Sequence, residues 1–208
     1  MHVMKMENVS QKILSTWKKI KPWVTILVVF LVFRYTGAIS GISYLTGSLL
    51  IGSGAMNANI DTSVPAKSFN YNFKIKDLQG SVIDFKAFKG KTIFLNIWAT
   101  WCGPCRIEMP SIQKLYDRVD KDKIVFIMLS IDRGDNFKKV VSFVKDKEYT
   151  FPVYVPKGYL TEQLQVRTIP TTFVISPEGK IVTQETGAAN YDTEEFRKFL
   201  EGLGNVGQ

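Results

Sequence analysis

The chain has few of the side chains that bind metals in proteins. It contains two cysteines and one histidine, His2, among 208 residues. A structural zinc site needs about four Cys or His ligands, so this supply argues against zinc and we expect no metal or other cofactor. Covalent haem attachment needs a histidine directly after the second cysteine, and that position holds Arg106. Cys102 and Cys105 therefore need another explanation.

The two cysteines form a Cys-x-x-Cys pair within Trp101-Cys102-Gly103-Pro104-Cys105, directly after an apolar run that predicts a buried strand. At the start of a helix, backbone N–H groups and the helix dipole stabilise the thiolate of the first cysteine. The second cysteine, one turn further on, is placed to attack a mixed disulfide and release the partner. A purely structural disulfide would enclose only two residues and constrain little chain entropy. The pair predicts a redox-active Cys102–Cys105 disulfide.

Charge is nearly absent between residues 23 and 60, where Arg34 is the single charged side chain. Residues 1–22 carry five lysines against one glutamate. Eleven Val, Ile, Leu and Phe residues within 23–42 favour membrane insertion by roughly 3–7 kcal/mol, against a cost of about 2.5–3.5 kcal/mol for the arginine. We therefore expect a cytoplasmic basic leader over 1–22 and a membrane anchor segment over 23–52. Lysines before the span place the N-terminus inside.

A cleaved signal peptide is the alternative, because Ser53-Gly54-Ala55 has the small residues of a cleavage site. Signal peptides have apolar regions of about 7–15 residues followed closely by that site, whereas some twenty residues separate Phe33 from Ala55. We expect a retained, single-pass anchor in a bacterial cytoplasmic (inner) membrane, with residues 69–208 on the periplasmic or extracytoplasmic side. Residues 53–68 read as a linker. The domain holds 20 basic and 17 acidic residues, and no basic patch indicates nucleic acid.

Strand and helix patterns alternate along the domain, which predicts a sheet flanked by helices. Alternating residues before and after a Gly-containing turn predict an N-terminal hairpin. The helix that begins at the cysteines is expected to be interrupted by Pro110. The predicted elements are strands at 70–76, 81–85, 92–98, 123–130, 151–155, 171–175 and 181–185, and helices at 102–119, 136–146, 160–164 and 193–203.

The order of these motifs resembles thioredoxin over about residues 70–203. A buried strand, the Trp-Cys-Gly-Pro-Cys motif and a helix with a proline five residues after the second cysteine precede Thr168-Ile-Pro-Thr-Thr-Phe173, a hairpin and a helix. The leading hairpin, Gly90-Lys91, Glu108-Met-Pro110 and the block between Asp132 and Leu164 are similar to the membrane-anchored TlpA/ResA-type thioredoxin-like proteins. The resemblance implies a thioredoxin-like α/β fold with a central mixed sheet, an N-terminal hairpin and an inserted helix–strand block, behind one transmembrane helix.

The resemblance also implies roles for individual residues. Cys102 would be the attacking thiol and Cys105 the resolving thiol. Pro170 matches the family's cis-proline, which lies beside the disulfide and lets the backbone of Ile169 pair with a substrate chain. Trp101 would flank the site, although a tryptophan at a strand end is also typical of ordinary packing.

Asn96 and Glu108 depart from ordinary thioredoxin, whose buried aspartate aligns with Asn96. An amide cannot accept the proton that Cys105 must lose. Glu108 lies three residues after Cys105, on the same helix face. In ResA-type proteins a glutamate at this place is linked to active-site proton chemistry. The alternative is a solvated first-turn glutamate favoured by the helix dipole, and in either case we expect an accessible side chain.

These residues predict a membrane-tethered, extracytoplasmic thiol-disulfide oxidoreductase. We expect a reductant of disulfides in exported proteins such as apocytochrome c, re-reduced by a membrane electron donor and serving cell redox homeostasis and cytochrome c biogenesis. One alternative is a peroxide-reducing redoxin, whose cysteine is usually supported by a nearby Thr and Arg that Thr100 and Arg106 do not obviously supply. Another is a tethered binding or chaperone module without enzymatic activity.

Overall fold

The computed structural model describes residues 19–32, 46–47, 49–51, 53–60, 67–132 and 137–205. The chain divides into two compact units, Met1–Thr46 and Gly47–Gln208. In the first unit residues 19–32 are helical. No helix within the described ranges combines the length and apolar character needed to cross a membrane. Much of the expected leader and of the expected anchor, including residues 1–18 and 33–45, lies outside the described residues.

The second unit is built on a mixed sheet, which has eight strands among the described residues. Strand order is β1-β8-β7-β4-β5-β6-β2-β3. The β4–β5 and β5–β6 pairs are parallel, and the remaining pairs are antiparallel. This confirms the predicted α/β class and the N-terminal hairpin. The strands are β1 Lys67–Ser68, β2 Lys74–Asp77, β3 Val82–Asp84, β4 Thr92–Trp98, β5 Ile124–Ser130, β6 Val153–Lys157, β7 Thr171–Ile175 and β8 Lys180–Thr186.

Within the described part of the chain, three helices accompany the sheet: α1 Gly103–Arg118, α2 Phe137–Asp146 and α3 Glu194–Asn205. Short 3-10 helices span Phe85–Phe88 and Glu162–Leu164. The expected interruption at Pro110 is wrong, because α1 continues through it. Pro110 is exposed, so its ring lies on the solvent side of α1 and only one backbone hydrogen bond is lost.

Every residue of β4 is buried, because core lies on both faces of the sheet. Phe94 and Trp98 pack on the face that carries α1, whereas Ile93 and Ile97 pack on the opposite face. Successive side chains of a strand alternate between faces, so Asn96 shares the α1 face with Phe94. The chain leaves β4 at Trp98 and enters α1 five residues later, which places the cysteines at the carboxyl edge of the sheet.

Part of the stretch expected as a linker, 53–68, lies against the domain. Residues 56–60, here called the strap, run beside Asn190 in a parallel bridge through Asn57. Ala58 and Ile60 pack on the core cluster of the α1 face. Lys67–Ser68 then pairs with β8 as an edge strand. The chain is thus tied to the domain before the predicted boundary at residue 69.

Candidate active site

Cys102 and Cys105 form a disulfide at the start of α1. Cys102 is the N-cap residue, and its Sγ accepts a hydrogen bond of 3.2 Å from the backbone N–H of Cys105. This places the first sulfur among the unpaired donors of a helix N-terminus, where a thiolate is stabilised. Cys102 is 5% exposed and Cys105 is fully buried, so a partner can reach only the first sulfur. Gly103 and Pro104 between them are exposed.

The loop before β7 closes over the first sulfur. The Ile169–Pro170 peptide bond is cis, as predicted, and Cys102 Sγ lies 3.7 Å from the carbonyl oxygen of Ile169. The backbone next to the proline is therefore within reach of a chain bonded to that sulfur. Trp101 is 67% exposed, so it contributes surface beside the disulfide rather than packing in the core.

Glu108 is fully buried, and the expectation of an accessible side chain is wrong. Its Oε1 accepts a hydrogen bond of 2.8 Å from Asn96 Nδ2, and its Oε2 accepts one of 3.2 Å from the backbone N–H of Ala189. The reason is the helix face. Cys105, Met109 and Ile112 are fully buried on α1, and a residue three positions after Cys105 shares their side.

Burial controls the protonation of this carboxyl group. Desolvation raises the pKa of Glu108 to about 8, against the opposing effect of the hydrogen bonds from Asn96 and Ala189, and the charge of Glu185 adds to the rise. Burial, together with the charge of Glu108, also raises the pKa of Tyr191. Near neutral pH the protein therefore holds a mostly protonated carboxylic acid one helical turn from Cys105.

Three contributors to this site were missed by reasoning from the sequence. Thr172 accepts a hydrogen bond of 2.9 Å from Asn96 Nδ2, and Ala189 binds Glu108 through its backbone. Asp132 accepts two hydrogen bonds from Thr100, one from its N–H at 2.8 Å and one from its hydroxyl at 2.6 Å. Thr172 follows the proline loop directly, so its sequence position was available as an indication. Backbone contacts such as that of Ala189 leave no mark on the side-chain pattern.

Thr100 and Arg106 have partners away from the disulfide. The Thr100 hydroxyl is bound to Asp132, and the Arg106 guanidinium lies 5.7 Å from the ring centroid of Phe143. The Thr and Arg support that a peroxide-reducing cysteine needs is thus not assembled from these two residues. Among the described residues, no group of three His, Cys, Asp or Glu side chains could hold a metal ion.

A cavity of about 920 Å³ opens at the same edge of the sheet as the disulfide. Its walls come from the carboxyl ends of β4, β5 and β6 and from the segment before the proline loop. Ile97, Ile131 and Val166 contribute apolar surface, and Lys76 and Lys157 contribute positive charge. Asp132 lines the cavity and accepts hydrogen bonds from Thr100, two residues before Cys102, so the cavity adjoins the loop that leads to the first cysteine.

Comparison with known proteins agrees with this geometry. Residues 66–184 match the model of the AhpC/TSA family. The chain belongs to the AhpC/TSA family. Within it, the chain is 38% identical over 133 residues to the thiol-disulfide oxidoreductase ResA of Bacillus thuringiensis subsp. konkukian, which covers 64% of this chain and 75% of the relative. It is 34% identical over 117 residues to ResA of Bacillus subtilis, covering 56% and 64% of the two chains.

Solved structures show the same thioredoxin-like fold. StoA from Bacillus subtilis superposes with a TM-score of 0.52 at 29% identity, over 61% of this chain and 94% of that one. A putative thiol-disulfide oxidoreductase from Bacteroides vulgatus gives a TM-score of 0.55 at 26% identity, over 69% and 97%. Together with the ResA relatives, these similarities show that this AhpC/TSA member is a thiol-disulfide oxidoreductase.

Proposed function

We propose that this thiol-disulfide oxidoreductase reduces disulfides in exported proteins, with apocytochrome c as a candidate partner, while tethered to the outer face of the cytoplasmic membrane. The observation that carries the proposal is the placement of Cys102, which caps the N-terminus of α1 and lies 3.7 Å from the Ile169 carbonyl oxygen. The fully buried acid Glu108 lies one helical turn after Cys105. A chain attached to Cys102 meets the backbone of Ile169 at the proline loop, and Glu108 provides a proton-exchanging group for Cys105.

The proposed cycle transfers two electrons from the dithiol to a partner disulfide. The Cys102 thiolate attacks one partner sulfur, which forms a mixed disulfide and releases the other partner sulfur as a thiolate. Cys105 then loses its proton and attacks Cys102 Sγ, which breaks the mixed disulfide and forms the Cys102–Cys105 bond. The partner leaves as a dithiol. A second dithiol, supplied by a membrane electron donor, restores the reduced enzyme by the reverse steps.

Glu108 is the group that we assign to the proton of Cys105. With a pKa of about 8 it is mostly protonated at pH 7 in the disulfide form. When the disulfide is reduced, the carboxyl can give its proton to the departing Cys105 sulfur, and in the opposite direction the carboxylate can take it back. Asn96 holds Glu108 in place through a 2.8 Å hydrogen bond but cannot exchange the proton itself.

The partner chain has two places to lie beside the disulfide. The backbone of Ile169 and the exposed Trp101 border Cys102 on one side. The adjoining cavity has apolar walls and carries the ammonium groups of Lys76 and Lys157. It therefore suits apolar or acidic residues that precede or follow the partner's cysteine. These features favour an extended polypeptide as the substrate.

The membrane tether is supported by composition. Five lysines precede the nearly uncharged stretch 23–60, and such a distribution retains the N-terminus in the cytoplasm. Protease added to spheroplasts should therefore degrade the domain while leaving cytoplasmic markers intact. Full-length protein recovered in the cytosol, or mature protein that begins near Met56 and is free of membranes, contradicts the tether.

The redox function is tested with purified protein, a dithiol and a protein disulfide. The wild-type protein should accelerate reduction, and Cys102→Ser should reduce the rate to that of the dithiol alone, because the attacking sulfur is lost. Arg106→Ser, exposed on the same helix, provides a control that leaves both sulfurs in place. Equal rates for wild type and Cys102→Ser would refute the function.

A further inference from the structure

A row of polar side chains crosses the sheet from Glu108 toward β8. Asn96 on β4 lies opposite Thr172 on β7, and Thr172 lies opposite Glu185 on β8. Directly opposed residues of antiparallel strands project from the same face, so these three side chains lie side by side on the α1 face. The inner end is joined by hydrogen bonds, since Asn96 Nδ2 donates to both Glu108 and Thr172.

The outer end of the row meets the strap. The backbone N–H of Asn59 donates a hydrogen bond of 3.1 Å to Glu185 Oε2. The strap itself is fixed by Asn190, whose N–H donates to the Met56 carbonyl at 2.6 Å and whose carbonyl accepts from Ala58 N–H at 3.0 Å. Glu185 is partly exposed, so one end of the row is buried with the cysteines and the other reaches solvent beneath the strap.

We propose that Glu185 is a second carboxylate of the redox centre, which assists proton exchange at Glu108 through its charge and is held in place by the strap. The inference rests on the proposed role of Glu108 in the cycle. Glu185 acts on the sulfurs only through Glu108, so it is a positioning residue. Reasoning from the Cys-x-x-Cys motif does not reveal it, because it lies 80 residues after Cys105.

Like charges on Glu108 and Glu185 oppose each other across the row. Among the described residues of the oxidised protein, the titratable groups coupled to Glu108 are Glu185 from β8 and Tyr191 from the segment before α3. No cation is among them. Negative charge on Glu185 therefore favours the protonated form of Glu108, and this adds to the larger effect of burial.

The consequence for the cycle is a directed proton movement. When a donor dithiol reduces the disulfide, two electrons enter the S–S bond and Cys105 departs as a thiolate, which takes the proton of Glu108. The resulting Glu108 carboxylate is buried and lies across the row from the Glu185 carboxylate, so burial and then this repulsion favour uptake of a proton from solvent. In the opposite half of the cycle Glu108 first releases its proton to solvent and then takes the proton of Cys105, which restores the protonated carboxyl of the oxidised protein.

The first test measures Glu108 directly, without activity. Carboxyl ¹³C titration of the oxidised full chain gives the midpoint of Glu108 in wild type, Glu185→Gln and Glu178→Gln. Glu178 is an exposed acid in the turn between β7 and β8, so its variant removes the same charge far from the row. We expect Glu185→Gln to lower the midpoint by roughly 0.5–1 pH unit and Glu178→Gln to leave it unchanged. Equal midpoints in the two variants would overturn the proposal.

The second test measures the pH profile of disulfide exchange. Glu185→Gln should move the profile to lower pH by the same amount as the titration midpoint, and it should have no effect when Glu108→Gln is already present. A shift that persists with Glu108→Gln would overturn the coupling between the two residues. If no variant exchanges disulfides but the titration shift remains, the proposed function fails while the link between Glu185 and Glu108 stands.

The strap is tested by Asn59→Pro, which removes the N–H that binds Glu185. Released into solvent, Glu185 should act more weakly on Glu108, so the midpoint should fall in the same direction as in Glu185→Gln. The change should vanish when Glu185→Gln is also present. If Asn59→Pro shifts the Glu108 midpoint equally in wild type and in Glu185→Gln, the strap acts without Glu185, and its proposed role in holding Glu185 is overturned.

Discussion

Asn96 donates a hydrogen bond of 2.8 Å to the carboxyl group of Glu108, and both side chains are fully buried. The amide neutralises none of the charge that Glu108 would acquire, so ionisation must be stabilised by hydrogen bonds alone. Burial outweighs them, and the pKa of Glu108 rises to about 8. The stability of the domain is therefore linked to the same proton that the redox cycle uses.

The first prediction concerns stability against pH. Glu108 has an ordinary pKa of 4.5, which serves as its value in the unfolded chain, and a pKa of about 8 when folded. Between these values the folded state keeps a proton that the unfolded state has lost, so the free energy of unfolding should fall as pH rises and level off above about pH 8. Glu108→Gln should flatten this decline, which amounts to a few kcal/mol at most.

Urea unfolding at several pH values measures the effect, with the oxidised wild type and Glu108→Gln compared at each point. Glu178→Gln serves as the control. The Glu178 side chain is exposed and its pKa lies below the usual range, so it stays ionised throughout the pH range tested. If the free energies of unfolding of wild type and Glu108→Gln differ by the same amount at every pH from 5 to 8, the raised pKa is contradicted. A difference that changes with pH agrees with the raised pKa, even when the substitution also shifts stability by a fixed amount.

The second prediction concerns the resolving cysteine. Cys105→Ser should accumulate a mixed disulfide with its partner, because Cys102 can still attack but the sulfur that releases the partner is gone. Non-reducing gels followed by mass spectrometry identify the trapped proteins. Cys102→Ser is the matched control and should trap little, since Cys105 is fully buried. Equal trapping by the two variants would reverse the assigned roles of the sulfurs.

The third prediction concerns the aromatic core beneath the site. Phe94 is fully buried, stacks on Phe126 with ring centroids 4.7 Å apart, and meets Tyr191 edge-on at 5.1 Å. Phe94→Ala should lower the free energy of unfolding by about 3–5 kcal/mol, as large-to-small changes at packed aromatic positions do. Trp101→Ala, at an exposed aromatic, should change it by less than about 0.5 kcal/mol. Chemical denaturation of both variants provides the measurement.

The fourth prediction concerns the strap. The fragment 47–208, which is the compact second unit, should be more stable than the fragment 61–208 by about 1–3 kcal/mol. Residues 56–60 contribute apolar contacts of Ala58 and Ile60 and backbone hydrogen bonds with Asn190, and the shorter fragment loses all of them. Equal midpoints of thermal unfolding for the two fragments would show that the strap adds no stability.

Most of the architecture could be predicted because its patterns are local. The run Thr92–Trp98 is mostly apolar, with β-branched side chains at Thr92, Ile93 and Ile97, and the strand has those bounds in the structure. The region after Thr171 likewise reads directly as a buried strand. Pro110 misled the prediction because a proline removes one hydrogen bond without ending a helix when its ring faces solvent.

The site was predicted less completely, since much of it depends on contacts between distant segments. The cysteines and Pro170 follow from motifs, and the structure brings them together. The burial of Glu108 could have been found from its spacing to Cys105, but its partner Ala189 binds through the backbone. Neither the docking of residues 56–60 nor the register that aligns Thr172 with Glu185 leaves a signature in local composition.

The unequal exposure of the two sulfurs has a kinetic consequence. Because only Cys102 is accessible, the electron donor and the substrate must both form their mixed disulfides at that one atom. They cannot occupy it together, so turnover should follow a ping-pong scheme in which each reactant at high concentration inhibits access by the other. The balance between donor and client abundance, rather than the affinity of either alone, would then set the fraction of enzyme available for reduction.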